Sequence, residues 1–238
     1  MSDECDHETI FTAFKSRRSA RRAEAIRDAY IDPHADQLLA QMLDESADLD
    51  FDKVVIAGHL GDLTGAVGDD ALRRATRVSG RGSRDLRCAS LLALTMRLGT
   101  QATPDLLAGL AGSDAAVKDY AVIGLAGAGA GNNDAWKQVF DYLRSVLRRK
   151  RRAHGQSEVA FALAYLAQHL ADPSRRSELV AFIRGHWDAL DEAGWFAQLW
   201  PDASPDGPHL DSVADPDREL IQAWAREPLF RPLGVPKG

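Results

Sequence analysis

The sequence predicts an all-α protein built from consecutive short helices. Alanine and leucine dominate its central apolar positions, and aromatic residues make up only 7% of the chain. This bias favours helices over strands. Apolar residues recur at helical spacing from Asp36 onward. Several of these runs close on a glycine, at Gly61, Gly99 and Gly127, and glycine is the residue that most often follows the last turn of a helix.

Composition places the chain among folded proteins with an acidic surface. It has 238 residues, of which 45% are hydrophobic and 27% charged, as is usual for a globular protein. The net charge of −6 gives no general attraction to nucleic acid or to an anionic membrane. The two cysteines, Cys5 and Cys88, make no disulfide framework. A reducing compartment is therefore expected.

The N-terminal residues and the apolar runs predict a cytoplasmic protein. The chain begins MSDECDHET, which is acidic where a signal peptide would be basic and then apolar. No uncharged apolar run approaches the ~18 residues that a membrane-spanning helix requires. No membrane partner is expected.

Three regions differ in composition. Residues 1–35 hold an acidic lead-in and a basic helix at residues 15–29, which serves as an N-terminal cap or as a basic arm. Residues 36–200 carry the regular helical pattern. Residues 201–238 form a Pro-rich acidic tail that holds seven of the ten prolines and one short predicted helix. We expect the repeated architecture to lie in the central region.

The first helices of the central region follow from apolar spacing and end signals. The run Leu38, Leu39, Met42 and Leu43 predicts a helix after Asp36. A second helix is predicted from Asp50 to Gly61, and a third over residues 69–79. Ser83 is a candidate N-cap for a long helix through Leu98.

Later helices are predicted in the same way. Thr103 precedes Pro104, which suggests a capping hydroxyl before a proline in the first turn. Ser113 and Asp114 predict the start of a helix that ends near Ala126. A further helix begins at residues 132–134, and its apolar stripe comprises Trp136, Val139, Phe140, Leu143, Val146 and Leu147. An almost uncharged helix follows Ser157, and residues 175–189 and 192–200 form the last predicted pair.

The stretch from Ser83 to Gly131 contains one element twice. Its first copy begins at Asp85 and Arg87, and its second copy at Asp114 and Lys118. Both copies continue with small and aliphatic residues and end in glycine. This alternation of short helices resembles HEAT repeats. The resemblance implies a right-handed α-solenoid of about five helix pairs, in which acidic and basic residues at these positions form a ladder between neighbours.

A HEAT-like architecture implies a binding scaffold, because such solenoids bind protein segments on a surface lined by their second helices. The strongest candidate for contact with a partner is a basic run. Its members are Arg144, Arg148, Arg149, Lys150, Arg151 and Arg152. The run fits a solvated helix end, contact with an acidic protein, or contact with a nucleic-acid backbone. Trp195 and Trp200 are core residues of the last pair or anchors of an interface.

The sequence contains no recognisable catalytic, cofactor or metal motif. The seven histidines are scattered without HExxH spacing, and the pattern predicts no metal ligands. The GAGAG segment at residues 127–131 follows a helical pattern where a nucleotide-binding loop requires a strand. His59 and Asp62 could pair locally at a helix end. We therefore expect no catalytic residues and no cofactor.

These observations favour a non-enzymatic protein-interaction scaffold, such as an adaptor, an assembly factor or an immunity protein. The alternative is a nucleic-acid-binding helical-repeat protein. Alkylpurine DNA glycosylases, which combine a basic groove with tryptophans and an aspartate, are the enzymatic form of that alternative. Clustering of the basic residues on one concave face would favour the alternative, whereas scattering would favour the scaffold.

Overall fold

A computed structural model describes residues 3–45, 50–80, 83–128, 133–147 and 172–186. Within these ranges the chain is all-helical and contains no β-strand. None of the helices in these ranges is long and apolar enough to cross a membrane. The described residues fall into two compact units, of which the first ends at Leu98 and the second begins at Gly99.

The first unit is built from helices that pack on their neighbours in sequence and on alternate helices. Its helices are α1 (Asp3–Phe14), α2 (Ser19–Ile31), α3 (Ala35–Glu45), α4 (Asp50–Gly61), α5 (Ala66–Ala75) and α6 (Ser83–Leu98). In sequence order, α1 packs on α2, α2 on α3, α3 on α4 and α5 on α6. In addition, α3 packs on α5, and α4 packs extensively on α6.

The core of this unit is aliphatic and lies on the faces that the periodicity predicts. Its fully buried large side chains are Leu39, Met42, Ile56, Leu60, Leu72, Leu91 and Leu94. Every residue from Cys88 to Thr95 is buried, since α6 packs against both α4 and α5. Gly61 faces the backbone of Ala93, and the absence of a side chain there lets the two helices approach closely.

The N-terminal region is more ordered than the sequence indicated. The expected lead-in is instead helix α1, in which Phe14 is buried. The basic helix α2 buries Ala25, Ile26 and Ala29. The two alanines are small, so α2 can lie close to its neighbours on this face. The third predicted helix is also shifted, because α5 ends at Ala75 and leaves Val78 exposed.

The second unit begins with a 3₁₀ turn and continues with short helices. After Gly99–Ala102 come α7 (Thr103–Ala111), α8 (Ala115–Gly127), α9 (Asn133–Leu147) and α10 (Pro173–Gly185). Helix α7 packs on α8, and α8 contacts α9. The rings of Phe140 and Phe182, with centroids 4.9 Å apart, connect α9 with α10.

Two helix starts in this unit show which capping predictions hold. The Asp114 carboxylate accepts hydrogen bonds from the backbone N–H groups of Ala116 and Val117, so it caps α8 as predicted. Thr103 does not cap α7. Its hydroxyl donates to the carbonyl of Thr100 at 2.6 Å, within the preceding 3₁₀ turn. Pro104 does lie in the first turn of α7.

The predicted stripe of α9 is confirmed over its described side chains. Trp136, Val139, Phe140, Leu143 and Val146 are all buried. Other predicted features fall on residues outside the described ranges: the basic run 148–152, the helix after Ser157, the pair ending at Trp200, and the tail 201–238. They stay predictions.

Candidate functional site at one end of the first unit

One end of the first unit brings charged and polar side chains from several helices together. Helices α3 and α5 begin at this end, and α2, α4 and α6 finish there. Two groups of residues meet at it, which we call the arginine cluster and the histidine cluster. They are separated in sequence by a single residue, because His34 belongs to one and Asp36 to the other.

The arginine cluster surrounds Arg97, whose side chain is 1% exposed. Its Nε donates to Asp69 at 2.6 Å, and one terminal nitrogen donates to Asp36 at 2.9 Å. The other terminal nitrogen donates to the carbonyl of Leu60 at 2.6 Å, at the end of α4. Arg97 also donates to the carbonyl of Gly65. One guanidinium therefore joins the ends of four helices.

Two glycines make room for the Asp36 carboxylate in the arginine cluster. The backbone N–H of Gly68 donates to Asp36 at 3.0 Å. A Cβ atom at Gly65 or at Gly68 would overlap the carboxylate oxygens of Asp36. Gly65 also has φ = 151°, a backbone conformation that residues with a side chain rarely adopt. The start of α5 can therefore close over Asp36 only because both positions lack a side chain.

The histidine cluster consists of His7 on α1, Asp32 after α2, and His34 before α3. Nε2 of His7 lies 3.3 Å from Oδ1 of Asp32, and Nδ1 of His34 lies 3.4 Å from the same oxygen. The backbone N–H of His34 donates to that oxygen at 2.7 Å. Burial disfavours the charged carboxylate, but the His34 backbone hydrogen bond and the adjacent His7 outweigh it and lower the pKa of Asp32.

His59 stands beside the end of α2. Its ring lies against Tyr30 with centroids 4.4 Å apart, and the Tyr30 hydroxyl donates to Asp62 at 3.5 Å. Within the described ranges, nothing hydrogen-bonds to the buried Nδ1 atom of His59. Burial lowers the pKa of His59, and the nearby Asp62 opposes this shift. The expected local pairing with Asp62 is thus an electrostatic contact at a packed ring.

The two clusters differ in what they can do chemically. The arginine cluster is closed, since the buried Arg97 already donates to four acceptors. The histidine cluster is open, because His34 is exposed and the three side chains offer nitrogen and oxygen atoms that all lie within 4.8 Å of one another. The histidine cluster is therefore the candidate site for binding a metal ion.

No pattern in the sequence indicates the histidine cluster. His7 and Asp32 lie on different helices, and their contact depends on how α1 packs on α2. Only the pair Asp32 and His34 is close in sequence, and a single i, i+2 pair is too common to predict a site. The expectation of no metal ligands rested on linear spacing, which does not capture residues that converge only in space.

The opposite end of the first unit holds ion pairs in which basic residues meet acids. Nε of Arg22 donates to Asp52 at 2.6 Å, and both side chains are largely buried. Arg74 donates two hydrogen bonds to Asp44, and these bonds raise the pKa of Arg74. The arginines that the sequence offered as a basic arm or patch are, at these positions, neutralised by partners within the unit.

Of the predicted partner-binding residues, only Arg144 lies in the described ranges. Its guanidinium carbon lies 4.4 Å from the ring centroid of Phe140. Its terminal nitrogens lie 3.6 Å from Glu178 and 3.9 Å from Asp141. Arg144 therefore pairs α9 with α10 and offers less free charge than the sequence indicated. Residues 148–152, Trp195 and Trp200 lie outside the described ranges.

Comparisons with known proteins return no similarity from which a role could be inferred. No protein-family model matches the chain, and neither curated proteins nor solved structures give a match.

Proposed function

We propose that this protein is a non-enzymatic scaffold that binds another protein on the surface of its stacked helices. The observation that carries this proposal is the packing of alternate helices in the first unit. Helix α3 packs on α5 and α4 on α6, while sequence neighbours also pack together. An α-solenoid of HEAT-like pairs requires both kinds of contact, one within a pair and one between pairs.

The pairing of four arginines of the first unit favours a protein partner over nucleic acid. Binding of a phosphate backbone depends on Lys and Arg side chains that are free to displace counterions. Arg22, Arg27, Arg73 and Arg74 each lie within ion-pair distance of an acid. The chain as a whole also carries a net charge of −6. At these four positions an acid therefore competes with a phosphate for the arginine.

Exposed apolar side chains give the first unit a candidate contact surface. Phe51, in the first turn of α4, is 78% exposed, although its neighbour Asp52 is buried against Arg22. Single exposed apolar residues are common on protein surfaces. A phenylalanine exposed to this degree next to a buried ion pair is nevertheless the kind of side chain that serves as an interface anchor.

The second unit contributes the basic run that the sequence predicts to bind a partner. Arg148, Arg149, Lys150, Arg151 and Arg152 follow directly on α9 in the sequence. An acidic segment of another protein would complement them. Trp195 and Trp200 complete the proposed set of partner-binding residues.

The proposal is tested by a tagged pull-down from native lysate, split into nuclease-treated and untreated halves. We expect a stoichiometric protein whose recovery does not depend on nuclease treatment. Replacing Phe51 by serine, or replacing Arg148, Arg149, Arg151 and Arg152 together by serine, should abolish its recovery. The matched control is Arg27→Ser, which removes an exposed arginine from α2. Recovery of nucleic acid in the untreated half, released by ~0.5 M salt, would contradict the proposal and favour the nucleic-acid alternative.

A further inference from the structure

We propose that His7, Asp32 and His34 bind a divalent first-row transition metal ion, for which Zn²⁺ is the natural probe. The site would join the start of α1 to the turn between α2 and α3. It goes beyond the scaffold function and does not depend on it.

The separations between the ligand atoms match a tetrahedral metal site. Zn²⁺ binds His nitrogen and carboxylate oxygen at about 2.0–2.1 Å, so two ligands at a tetrahedral angle lie about 3.3–3.4 Å apart. Oδ1 of Asp32 lies 3.3 Å from Nε2 of His7 and 3.4 Å from Nδ1 of His34. Two of the three edges of the ligand triangle therefore already have the required length.

The third edge can adjust without moving a helix. The three ligand atoms all lie within 4.8 Å of one another. The His34 side chain is 49% exposed, so a rotation of its ring can bring Nδ1 toward His7. His7 and Asp32 are more buried and fix the other two ligand positions. The site is thus mostly preformed, with one adjustable ligand at the surface.

The Asp32 carboxylate is oriented by a further hydrogen bond, as metal-binding side chains usually are. The backbone N–H of His34 donates to Oδ1 at 2.7 Å. The carbonyl of Asp32 in turn accepts the N–H of Ala35 at 3.0 Å, which orders the turn that carries His34. The backbone of this turn therefore holds the Asp32 carboxylate in position and leaves the His34 ring free to rotate.

The donor set selects the class of metal. Two imidazoles and one carboxylate suit Zn²⁺ and its first-row neighbours, whereas Mg²⁺ and Ca²⁺ prefer sites made only of oxygen. Three protein ligands leave at least one coordination position open. That position would accept water or a side chain of a bound partner, as in zinc sites that are not purely structural.

The first experiment measures Zn²⁺ affinity by competition with a chromophoric chelator. It uses the full chain, without a histidine tag, after treatment with a stronger chelator. We expect one equivalent of Zn²⁺ to bind, and Asp32→Asn and His34→Ala each to weaken binding by at least about tenfold. The control is Asp28→Asn, which makes the same change one turn earlier on α2, where the side chain is 45% exposed, and is expected to leave the affinity unchanged.

The second experiment replaces Zn²⁺ with Co²⁺ and records its absorption spectrum. We expect the d–d bands of a four-coordinate site with nitrogen and oxygen ligands. A strong sulfur-to-cobalt charge-transfer band would assign the metal to a cysteine and overturn the proposed ligand set. Equal Zn²⁺ affinity of the wild type and the His34→Ala variant would overturn the site itself. Because His34 is exposed, circular dichroism of that variant should match the wild type.

A competition with Mg²⁺ tests the class of metal. We expect millimolar Mg²⁺ to leave bound Zn²⁺ in place, since a site with two imidazoles is a poor match for a hard cation. Displacement of Zn²⁺ by Mg²⁺ would mean that binding rests on surface carboxylates and would contradict the proposal.

Discussion

A buried guanidinium such as that of Arg97 costs free energy unless its donors are satisfied and its charge is balanced. Asp36 and Asp69 supply the negative charge, and the carbonyls of Leu60 and Gly65 accept further hydrogen bonds. These partners come from α3, α5 and the end of α4. The stability of this end of the first unit should therefore be sensitive to changes of one side chain.

We predict that Arg97→Met strongly destabilises the first unit. The change leaves Asp36 and Asp69 without their buried partner, and breaking a buried ion pair in this way typically costs about 3–5 kcal/mol. Urea denaturation followed by circular dichroism measures the loss. The matched control is Arg74→Met, which breaks an ion pair whose side chains are about half exposed and should cost at most about 1 kcal/mol. Equal decreases of the free energy of unfolding in the two variants would show that the burial of Arg97 does not increase its contribution to stability.

A second prediction concerns His59 and pH. Burial lowers the pKa of His59 in the folded protein below its ordinary value of 6.5. As pH falls through this value, the unfolded chain takes up a proton that the folded protein does not, so folding stability decreases. His59→Phe keeps a ring against Tyr30 but does not titrate. Its stability relative to the wild type should therefore increase as pH falls from about 7.5 to about 5.5.

The pH test compares urea midpoints of the two proteins at both pH values, which cancels the titration of all other groups. Tyr30, which contacts the ring, and Asp62, which acts on its pKa, both remain in the variant. A difference that is independent of pH, or that shrinks on acidification, would show that His59 is as accessible to protons in the folded state as in the unfolded chain.

At the scale of helices, replacing Gly68 by alanine has two opposing effects on stability. A glycine inside a helix usually destabilises it by about 0.5–1 kcal/mol relative to alanine. A Cβ atom at Gly68, however, would overlap Oδ1 of Asp36 and crowd Arg97. We predict that Gly68→Ala lowers the urea midpoint, because it displaces the carboxylate that Arg97 needs. The control, Gly185→Ala in α10, meets nothing within 4 Å and should be neutral or stabilising. An increase in the midpoint of Gly68→Ala would mean that the arginine cluster adapts at no cost.

The cap of α8 gives a further prediction at this scale. Asp114 accepts two backbone hydrogen bonds from the first turn of the helix. Removing such a cap typically costs about 1 kcal/mol, so Asp114→Ala should lower the thermal midpoint of the protein. Thr103→Ala removes a hydroxyl that lies outside any cap and should have a smaller effect. A larger decrease of the thermal midpoint for Thr103→Ala than for Asp114→Ala would contradict the assignment of Asp114 as the cap.

The helices themselves were largely predictable from the sequence, and the reasons are local. Glycine after an aliphatic run gives the ends of α4 and α6, and the spacing of Trp136 to Val146 gives the buried stripe of α9. Helix α1 was not predicted, because polar and acidic residues dominate its first half and its apolar run from Ile10 to Phe14 is little longer than one turn. Phe14 is buried and α1 packs on α2, and no local pattern in the sequence indicates this packing.

The two clusters could not be predicted from the sequence for a related reason. Nothing in the sequence around Arg97 indicates that Asp36 and Asp69 lie beside it. His7 is separated from Asp32 and His34 by the whole of α2. Both groupings depend on how helix ends meet in space, and residue spacing along the chain contains no information about that.

At the scale of the molecule, each of the two units has buried side chains of its own. Arg97 and the groups that accept its hydrogen bonds in the described part of the chain lie between residues 36 and 97, within the first unit. We predict that a fragment of residues 1–98 folds alone into a helical protein with a cooperative urea transition. Introducing Arg97→Met into the fragment should destabilise it as in the full chain. A fragment without cooperative unfolding would show that the first unit depends on the rest of the chain.

The position of Arg97 near the end of α6 also limits how the length of the chain can vary. Each residue of an α-helix turns the chain by about 100°. One residue inserted between the buried Leu94 and Arg97 would therefore rotate the guanidinium away from Asp36 and Asp69. Substitutions on the exposed face of α6 leave the direction of the Arg97 side chain unchanged. We therefore expect related sequences to carry no insertions or deletions in the last turn of α6. Sequence variation there should consist of substitutions.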